Sequence, residues 1–552
     1  MQLIRNPILP GFNPDPSIVR VGDDYFVATS TFEWFPGVQI HHSRDLVNWR
    51  LLTRPLRRAR QLNMLGDPDS CGIWAPCLTH ADGRFWLMYT DVKRFGRSSM
   101  GGVSGASMRD FHNFLVTSPT IDGEWPDPVY LNSSGFDPSL FHDDDGRKYL
   151  VNMLWDYRPG TNRFAGIVLQ EYSAEKQTLI GERVNIFKGT PLGLTEGPHL
   201  YKRDGWYYLL TAEGGTNWDH AVLLARSRRI TGPYAIHPDG HLLTARHRPD
   251  SELQRSGHAD LVETQNGETY MVYLAGRPIR NRGRCILGRE TAIQKMTWCE
   301  DGWLRTLDRE GVPTIETPAP ELPPHPFAEK PVREDFETTE LPIDFQWLRT
   351  PHPEDIFSLS ARPGHLRLMG RESIGSLFNQ SLVARRQQSF CFSAETVVEF
   401  EPNHFQQLAG LACYYNSSKF HYLYVSHDAT IGKFLAVMTH LPDAAQADAF
   451  TPPIAIPTGK PVHLRVEVDY ERLCFAYRVA GVDGDWNWLA QQFDASILSD
   501  EASAMGQPNF TGAFVGMACQ DMSGTAHPAD FDFFEYKERT YRAHPFPASS
   551  AC

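Results

Sequence analysis

The chain of 552 residues lacks any apolar run near the roughly 18 residues a bilayer-crossing helix needs, which excludes a helical membrane protein. It also lacks a basic surplus. Its 53 Lys and Arg stand against 66 Asp and Glu, a net charge of -13, so the positive face that a nucleic-acid partner requires is missing. The one basic cluster, Arg54 to Arg60, is short and reads as a solvated loop. Nine cysteines, at 71, 77, 285, 299, 391, 413, 474, 519 and 552, form neither CxxC pairs nor Cys/His clusters at zinc spacing, and fit reduced, mostly buried thiols. Met1 to Pro7 shows no basic stretch, apolar core or small-residue cleavage site, so a cytoplasmic location is expected. Helical periodicity is scarce throughout.

What is present is a repeat. Aromatic strands introduced by an Asp/Gly or Asn/Gly turn recur at DDYFVAT (23 to 29), DGRFWLMYT (82 to 90), DGRKYLVNM (145 to 153), DGWYYLLTA (204 to 212) and NGETYMVYL (266 to 274). About ten residues ahead of each lies a second recurring element, carrying Asp15, Trp74-Ala75, Asp137, Glu196 and His258 in turn. Apolar alternation of period two between turn residues makes each unit an antiparallel meander, and five such units closing on an axis predict a five-bladed β-propeller. The upstream elements are then the innermost strands, and their leading residues converge on one cavity.

From 312 to 332 the chain carries seven prolines in 21 residues, which predicts a stiff extended connector. Alternating apolar patterns resume from about Glu334 to Lys537, at HLRLMG, SAETVVEFEP, LAGLACYYN, HLRVEVDYERLCFAYRVAG, TGAFVGMACQD and ADFDFFEY. They predict an antiparallel, concanavalin-like β-sandwich. The expected organisation is an all-β chain: a propeller over 1–311, a linker over 312–333, a sandwich over 334–538 and a tail over 539–552.

A structural repeat would keep small or apolar residues at its axis, yet three of the five positions carry carboxylates and one carries His. Converging like charges raise one another's proton affinity and mark chemistry. Glycoside hydrolysis needs one carboxylic acid to protonate the departing oxygen and one carboxylate to attack or to activate water. Glu196, with its longer side chain, is the candidate acid and Asp15 the candidate base. The third carboxylate, Asp137, can keep the acid protonated near neutral pH. Asp15 lies between Pro14 and Pro16, each of which fixes its own φ and biases the residue before it toward extended backbone. Phe32 and Trp74 offer faces for a sugar ring. Arg289 either binds substrate or closes the ring through an ion pair.

On the stretches GFNPDPSIVR, ATSTFEWFPGVQIHHSRDL, GIWAP, GFDPSLFHDDDGRKYLVN, TEGPHLY, AEGGT, SGHADLVETQNG, LGRETAIQK, FQQLAGLACYYN, FTGAFVGM and ADFDFF, the sequence resembles glycoside hydrolase family 43 in its β-xylosidase branch. The resemblance implies a general base at Asp15, a general acid at Glu196, an orienting Asp137 and inversion at the anomeric carbon. It implies that Phe32, Trp74, Phe136, Thr216, His258 and Arg289 line the innermost sugar site, and that Phe510 closes the pocket from the sandwich. Three features depart from the family: Cys77 where relatives often carry an acid, the Gly-rich stretch Ser98 to Ser107, and a short link from Arg277 to Arg284. All three are expected at the rim.

The expected activity is therefore exo-acting release of D-xylose from the non-reducing ends of short β-1,4-xylo-oligosaccharides. An α-L-arabinofuranosidase using the same site is the alternative; a retaining fructan hydrolase and a non-catalytic sugar-binding propeller are further ones. No cofactor is expected for the chemistry. Asp335 and Asp530 are candidate ligands of a structural calcium, and His258 could hold a water, a cation or a carboxylate. The expected partners are a xylo-oligosaccharide or arabinoside and further copies of the chain, as a dimer or tetramer, with no nucleic acid and no membrane.

Overall fold

The computed structural model describes residues 2–95, 108–441, 448–502 and 509–539. Five four-stranded antiparallel sheets follow one another along the chain. Blade I is Ser17–Val21, Asp24–Thr29, Gln39–Ser43 and Arg50–Thr53. Blade II is Gly72–Ala81, Arg84–Arg94, Asp110–Ser118 and Val129–Asn132; blade III is Ser139–His142, Lys148–Trp155, Phe164–Ser173 and Thr178–Phe187. Blade IV comprises Glu196–Arg203, Trp206–Glu213, Ala221–Ser227 and Ala235–Thr244, and blade V Gln254–Glu263, Thr269–Gly276, Arg289–Trp298 and Leu304–Thr306.

Each blade turns from its first to its second strand through a glycine with left-handed backbone, at Gly22, Gly83, Gly146, Gly205 and Gly267. Tight hairpin turns demand that conformation, and glycine adopts it without a Cβ clash. Neighbouring blades bury apolar faces against each other. Trp86, Met88 and Leu115 of blade II pack with Leu140, Leu150 and Tyr172 of blade III, while Ile18, Tyr25 and Val27 of blade I pack with Val262, Tyr270 and Val272 of blade V. The ring closes polar as well: the buried Asp260 carboxylate of blade V accepts from Ser17 Oγ and Ile18 N of blade I.

The proline-rich segment does not run free. Its Glu316–Pro318 strand pairs with Leu3–Arg5 near the start of the chain, and Asn6 reaches both Ile293 and Thr314 carbonyls. The sandwich consists of two antiparallel sheets. One is ordered Phe357–Ser358, Leu366–Leu368, Ala529–Glu538, Cys391–Glu399, Val462–Asp469, Arg472–Val479 and Asn487–Asp494. The other runs Asp448–Phe450, Gly432–His440, Lys419–Asp428, Gln407–Asn416, Phe514–Asp521, Ser381–Arg386 and Phe345–Leu348. Its last strand pairs with Trp34–Phe35, which belong to the propeller between the second and third strands of blade I. Trp34 is wholly buried and stacks on Phe514 of the sandwich at 3.7 Å between ring centres. The two domains therefore share a sheet and a core.

Candidate active site

A left-handed residue marks four inner strands: Asp15 (φ 55) and Asp137 (φ 55) two residues ahead of Ser17–Val21 and Ser139–His142, Gly197 (φ 57) second in Glu196–Arg203, and His258 (φ 47) in the middle of Gln254–Glu263. Blade II instead has an irregular register between Trp74 and Cys77. This corrects two sequence expectations. The backbone before Pro16 and Pro138 is left-handed rather than extended, a strained state for non-glycine residues that persists where surrounding contacts fix it. Glu196 is also not the structural equivalent of Asp15 and Asp137. That position belongs to Gly197, where a Cβ would come within 3.1 Å of the His258 ring. Glu196 stands one residue earlier, and the one-residue offset gives it a different approach to the cavity from the two aspartates.

The carboxylates are held in distinct ways. Asp15 accepts from Ser30 Oγ at 2.6 Å and from Arg289 Nη1 at 2.8 Å, so both its oxygens are fixed. Asp137 accepts from Gly197 N at 2.9 Å. His258 Nδ1 lies 3.9 Å from Asp15 and 4.0 Å from Asp137, between the two. Burial, and then the Asp15 charge, push Asp137 well above the usual carboxylate range. Glu196 is raised well above it too, by burial first and then by Asp137 and Asp15. Burial lowers His258 to about 4, against the pull of Asp15, so the imidazole is neutral at neutral pH. The site thus joins a buried glutamic acid whose surroundings favour its protonated form with an aspartate gripped by a guanidinium, which is the division of labour that acid–base hydrolysis requires.

All ten residues expected at the sugar site and the catalytic centre line one cavity of about 580 Å³: Asp15, Phe32, Trp74, Phe136, Asp137, Glu196, Thr216, His258, Arg289 and Phe510. The volume lies in the usual range for small-molecule pockets. An aromatic collar surrounds the carboxylates. Trp74 is 5.7 Å from Phe32, 5.3 Å from Phe136 and 5.6 Å from Phe510, the last two edge-on. Of the roles offered by the sequence, Arg289 takes the ion pair: it grips Asp15, and its Nη2 also donates to the Phe510 carbonyl at 2.9 Å.

Several functional residues escaped the sequence reading. Phe95 and Phe164 extend the collar, and Asn217 and Trp218 follow Thr216 at its edge. Ser30 and Ser70 matter through what they hold. Ser70 Oγ accepts from Phe510 N, and its carbonyl accepts from Trp74 Nε1, so one serine anchors a collar ring from each domain. Glu33 accepts from Ser70 N in turn. Arg255 donates twice to the Thr216 carbonyl while pairing with Asp500 and Glu501 of the sandwich. Nothing periodic in the sequence marks Ser30, which follows the first aromatic strand, and nothing links 255 to 500.

The two aspartates expected at a structural calcium are both engaged by arginines. Asp530 is occupied by the guanidiniums of Arg367 at 2.7 Å and Arg362 at 3.0 Å, while Asp335 pairs at the surface with Arg333 at 2.5 Å. Among the described residues no group of three or more His, Cys, Asp or Glu could hold a metal ion. Cys77 is not at the rim: it is buried between blades II and III, where burial pushes its thiol up to about 12. The Arg277 to Arg284 link contacts the sandwich, through Arg280 to Glu471 and Arg284 to Asp494. The whole Gly-rich stretch and nearly all of the tail, with Cys552, lie outside the described residues.

The profile of glycosyl hydrolases family 43 matches residues 4–304, and that of the beta xylosidase C-terminal concanavalin A-like domain matches residues 333–537. The chain is 51% identical over 543 residues to "Xylosidase/arabinosidase 43B" of Humicola insolens, covering 97% of this chain and 98% of that one. It is 50% identical over 547 residues to a beta-xylosidase of Bacillus subtilis (strain 168), covering 97% and 100%. The crystal structure of xylan beta-1,4-xylosidase from Bacillus halodurans C-125 superposes with a TM-score of 0.93 at 52% identity, covering 97% of this chain and all of the other.

Proposed function

The chain belongs to glycosyl hydrolases family 43, and from that premise we propose that it is an exo-acting, inverting β-xylosidase. It removes single D-xylose units from the non-reducing ends of short β-1,4-xylo-oligosaccharides. The observation that carries this reading is the buried carboxylate set at the base of a single aromatic-collared cavity. A ring stacked within the collar presents its anomeric carbon to the carboxylates. Behind them the way is closed by a second layer, in which Tyr201 OH donates to Asp260 and Asp260 accepts from Ser17.

In the proposed reaction Asp15 takes a proton from a water molecule as that water attacks the anomeric carbon. Its two fixed oxygens leave it little rotational freedom, so the carboxylate meets the water in one orientation. Glu196 donates its proton to the departing glycosidic oxygen from the opposite side. Burial first, and then the nearness of Asp137 and Asp15, favours the protonated form of Glu196, and the bond from Gly197 N ties Asp137 to the segment bearing the acid. Displacement of the leaving group by water in a single step inverts the configuration. Every step is assigned to side chains of this chain.

An arabinofuranosidase activity at the same site is the second reading, and the name of the Humicola insolens relative favours keeping it. Paired assays on nitrophenyl β-D-xyloside and nitrophenyl α-L-arabinofuranoside test the assignment, together with product analysis on xylobiose and xylotriose. The xylosidase reading expects the higher kcat/KM on the xyloside and xylose as the sole product from xylobiose. A higher kcat/KM on the arabinofuranoside overturns the preference, and no hydrolysis of either overturns the enzyme.

A further inference from the structure

We propose that a second cavity, at the seam of blade I, the linker and the sandwich, binds one small tetrahedral oxyanion such as phosphate or sulfate. This cavity of about 250 Å³ is lined by Arg50, Arg54, Lys330, Arg385 and Arg386 with a single carboxylate, Asp344, among its charged groups. In a chain whose net charge is -13, five cations facing one anion is a marked local reversal.

Two of the cations are also deeply placed, and they lack a carboxylate partner. Arg54 is 3% exposed and Arg386 6%. Buried guanidiniums are ordinarily neutralised by a carboxylate, yet among the described residues none of Arg54, Arg385 and Arg386 has a carboxylate oxygen within an ion-pair distance. Arg54 donates only to Gln39 Oε1 and to the Ile343 and Phe345 carbonyls. Arg386 donates to the Phe12 carbonyl and to Gln346 Oε1, and its buried Nη2 has no hydrogen-bond partner; neither has Nε of Arg385. The one acid present, Asp344, is engaged by Lys330 at 2.6 Å. Burial lowers Arg54 to about 9 and Arg386 well below its ordinary value, against the pull of Asp344 on both.

An anion in the cavity would supply the missing partner. Guanidinium forks on several walls favour an ion that accepts hydrogen bonds in several directions at once, which a tetrahedral oxyanion does and a halide does less well. A neutral sugar would leave the charge uncorrected. The site also backs onto the catalytic strand entry: Arg386 holds the Phe12 carbonyl, and Gln39, which accepts from Arg54, donates to Asn13 two residues before Asp15.

The test is thermal unfolding of the full chain in sodium phosphate or sulfate against sodium chloride at equal ionic strength, with titration calorimetry using phosphate. The expected result is a saturable rise of several degrees in Tm beyond that in chloride, and about one ion bound per chain. Arg386→Met should abolish the rise. Should that buried variant fail to fold, the rim variant Arg50→Ser/Lys330→Ser decides, and its rise should be at least halved. Equal stabilisation by chloride or an undiminished rise in the rim variant would overturn the proposal. So would phosphate inhibiting hydrolysis competitively at the concentrations that raise Tm, because the ion would then occupy the catalytic cavity.

Discussion

The floor and the wall of the catalytic cavity are built by different rules. The floor comes from the propeller alone: Asp15 and Asp137 stand just ahead of an inner strand, Glu196 begins one and His258 sits at a register break inside another, each placed by the fivefold repetition of one meander. The wall is composite. Phe510, Asp500, Glu501 and Asn509 come from the sandwich, and reach the cavity because Trp34–Phe35 join the sandwich sheet and because Ser70 and Arg255 bind across the seam. The difference teaches that repetition fixes the chemistry while the domain junction fixes the shape of the space around it. Damage to the floor should therefore reduce turnover, and damage to the wall should chiefly weaken substrate capture.

The largest effect belongs to the floor. Asp15→Asn and Glu196→Gln should each lower kcat/KM on xylobiose by about 10³-fold or more, with the fold retained by circular dichroism. The two separate on an aryl xyloside with a good leaving group, where Glu196→Gln should recover much of its rate and Asp15→Asn none. Equal recovery would erase the assigned division between acid and base. At the wall, Phe510→Ala should raise KM by roughly 10- to 100-fold, the loss expected for an aromatic face of this size, with kcat changed far less. A kcat loss as large as that of Glu196→Gln would show the wall to be part of the chemistry.

The pH dependence sharpens the same contrast. Glu196 is raised in the folded chain, so its protonated form stabilises the fold below the ordinary carboxylate range, and that contribution is lost as pH rises through the raised value. Activity should fall on that alkaline limb, Tm should decline with it, and Glu196→Gln should flatten the decline in Tm; an unchanged slope would contradict the burial account. The smallest effect is expected at Ser70→Ala. Losing the hydroxyl that accepts from Phe510 N should cost about 2- to 10-fold in kcat/KM, at the level of one hydrogen bond, measured by steady-state kinetics against an unchanged Tm.

Much of the floor was legible in the sequence because repetition leaves a periodic trace. The Asp/Gly turns mark every blade, and the residues ahead of each inner strand stand out as charged where a structural repeat would be apolar. The trace has one-residue resolution at best: Glu196 aligns by eye with the aspartates, while Gly197 takes their backbone position to make room for His258. Left-handed φ values at Asp15 and Asp137 were likewise hidden, since tertiary contacts from Ser30, Arg289 and Gly197 override the local preference of a residue before proline. The wall left a weaker trace. Phe510 came only through family resemblance, and the Arg255 contacts span 245 residues with no periodicity to announce them. The arginine partners of Asp530 were hidden for a related reason, because Arg362 and Arg367 reach it from elsewhere in the same sheet and its neighbouring turn.

The most direct test of the central claim, that Asp15 directs a water in a single displacement while Glu196 protonates the leaving group, is proton NMR of the first sugar released from a β-xyloside before mutarotation. The account predicts α-D-xylose as the initial signal. Initial β-D-xylose would mean a covalent intermediate and two displacements, and would contradict it.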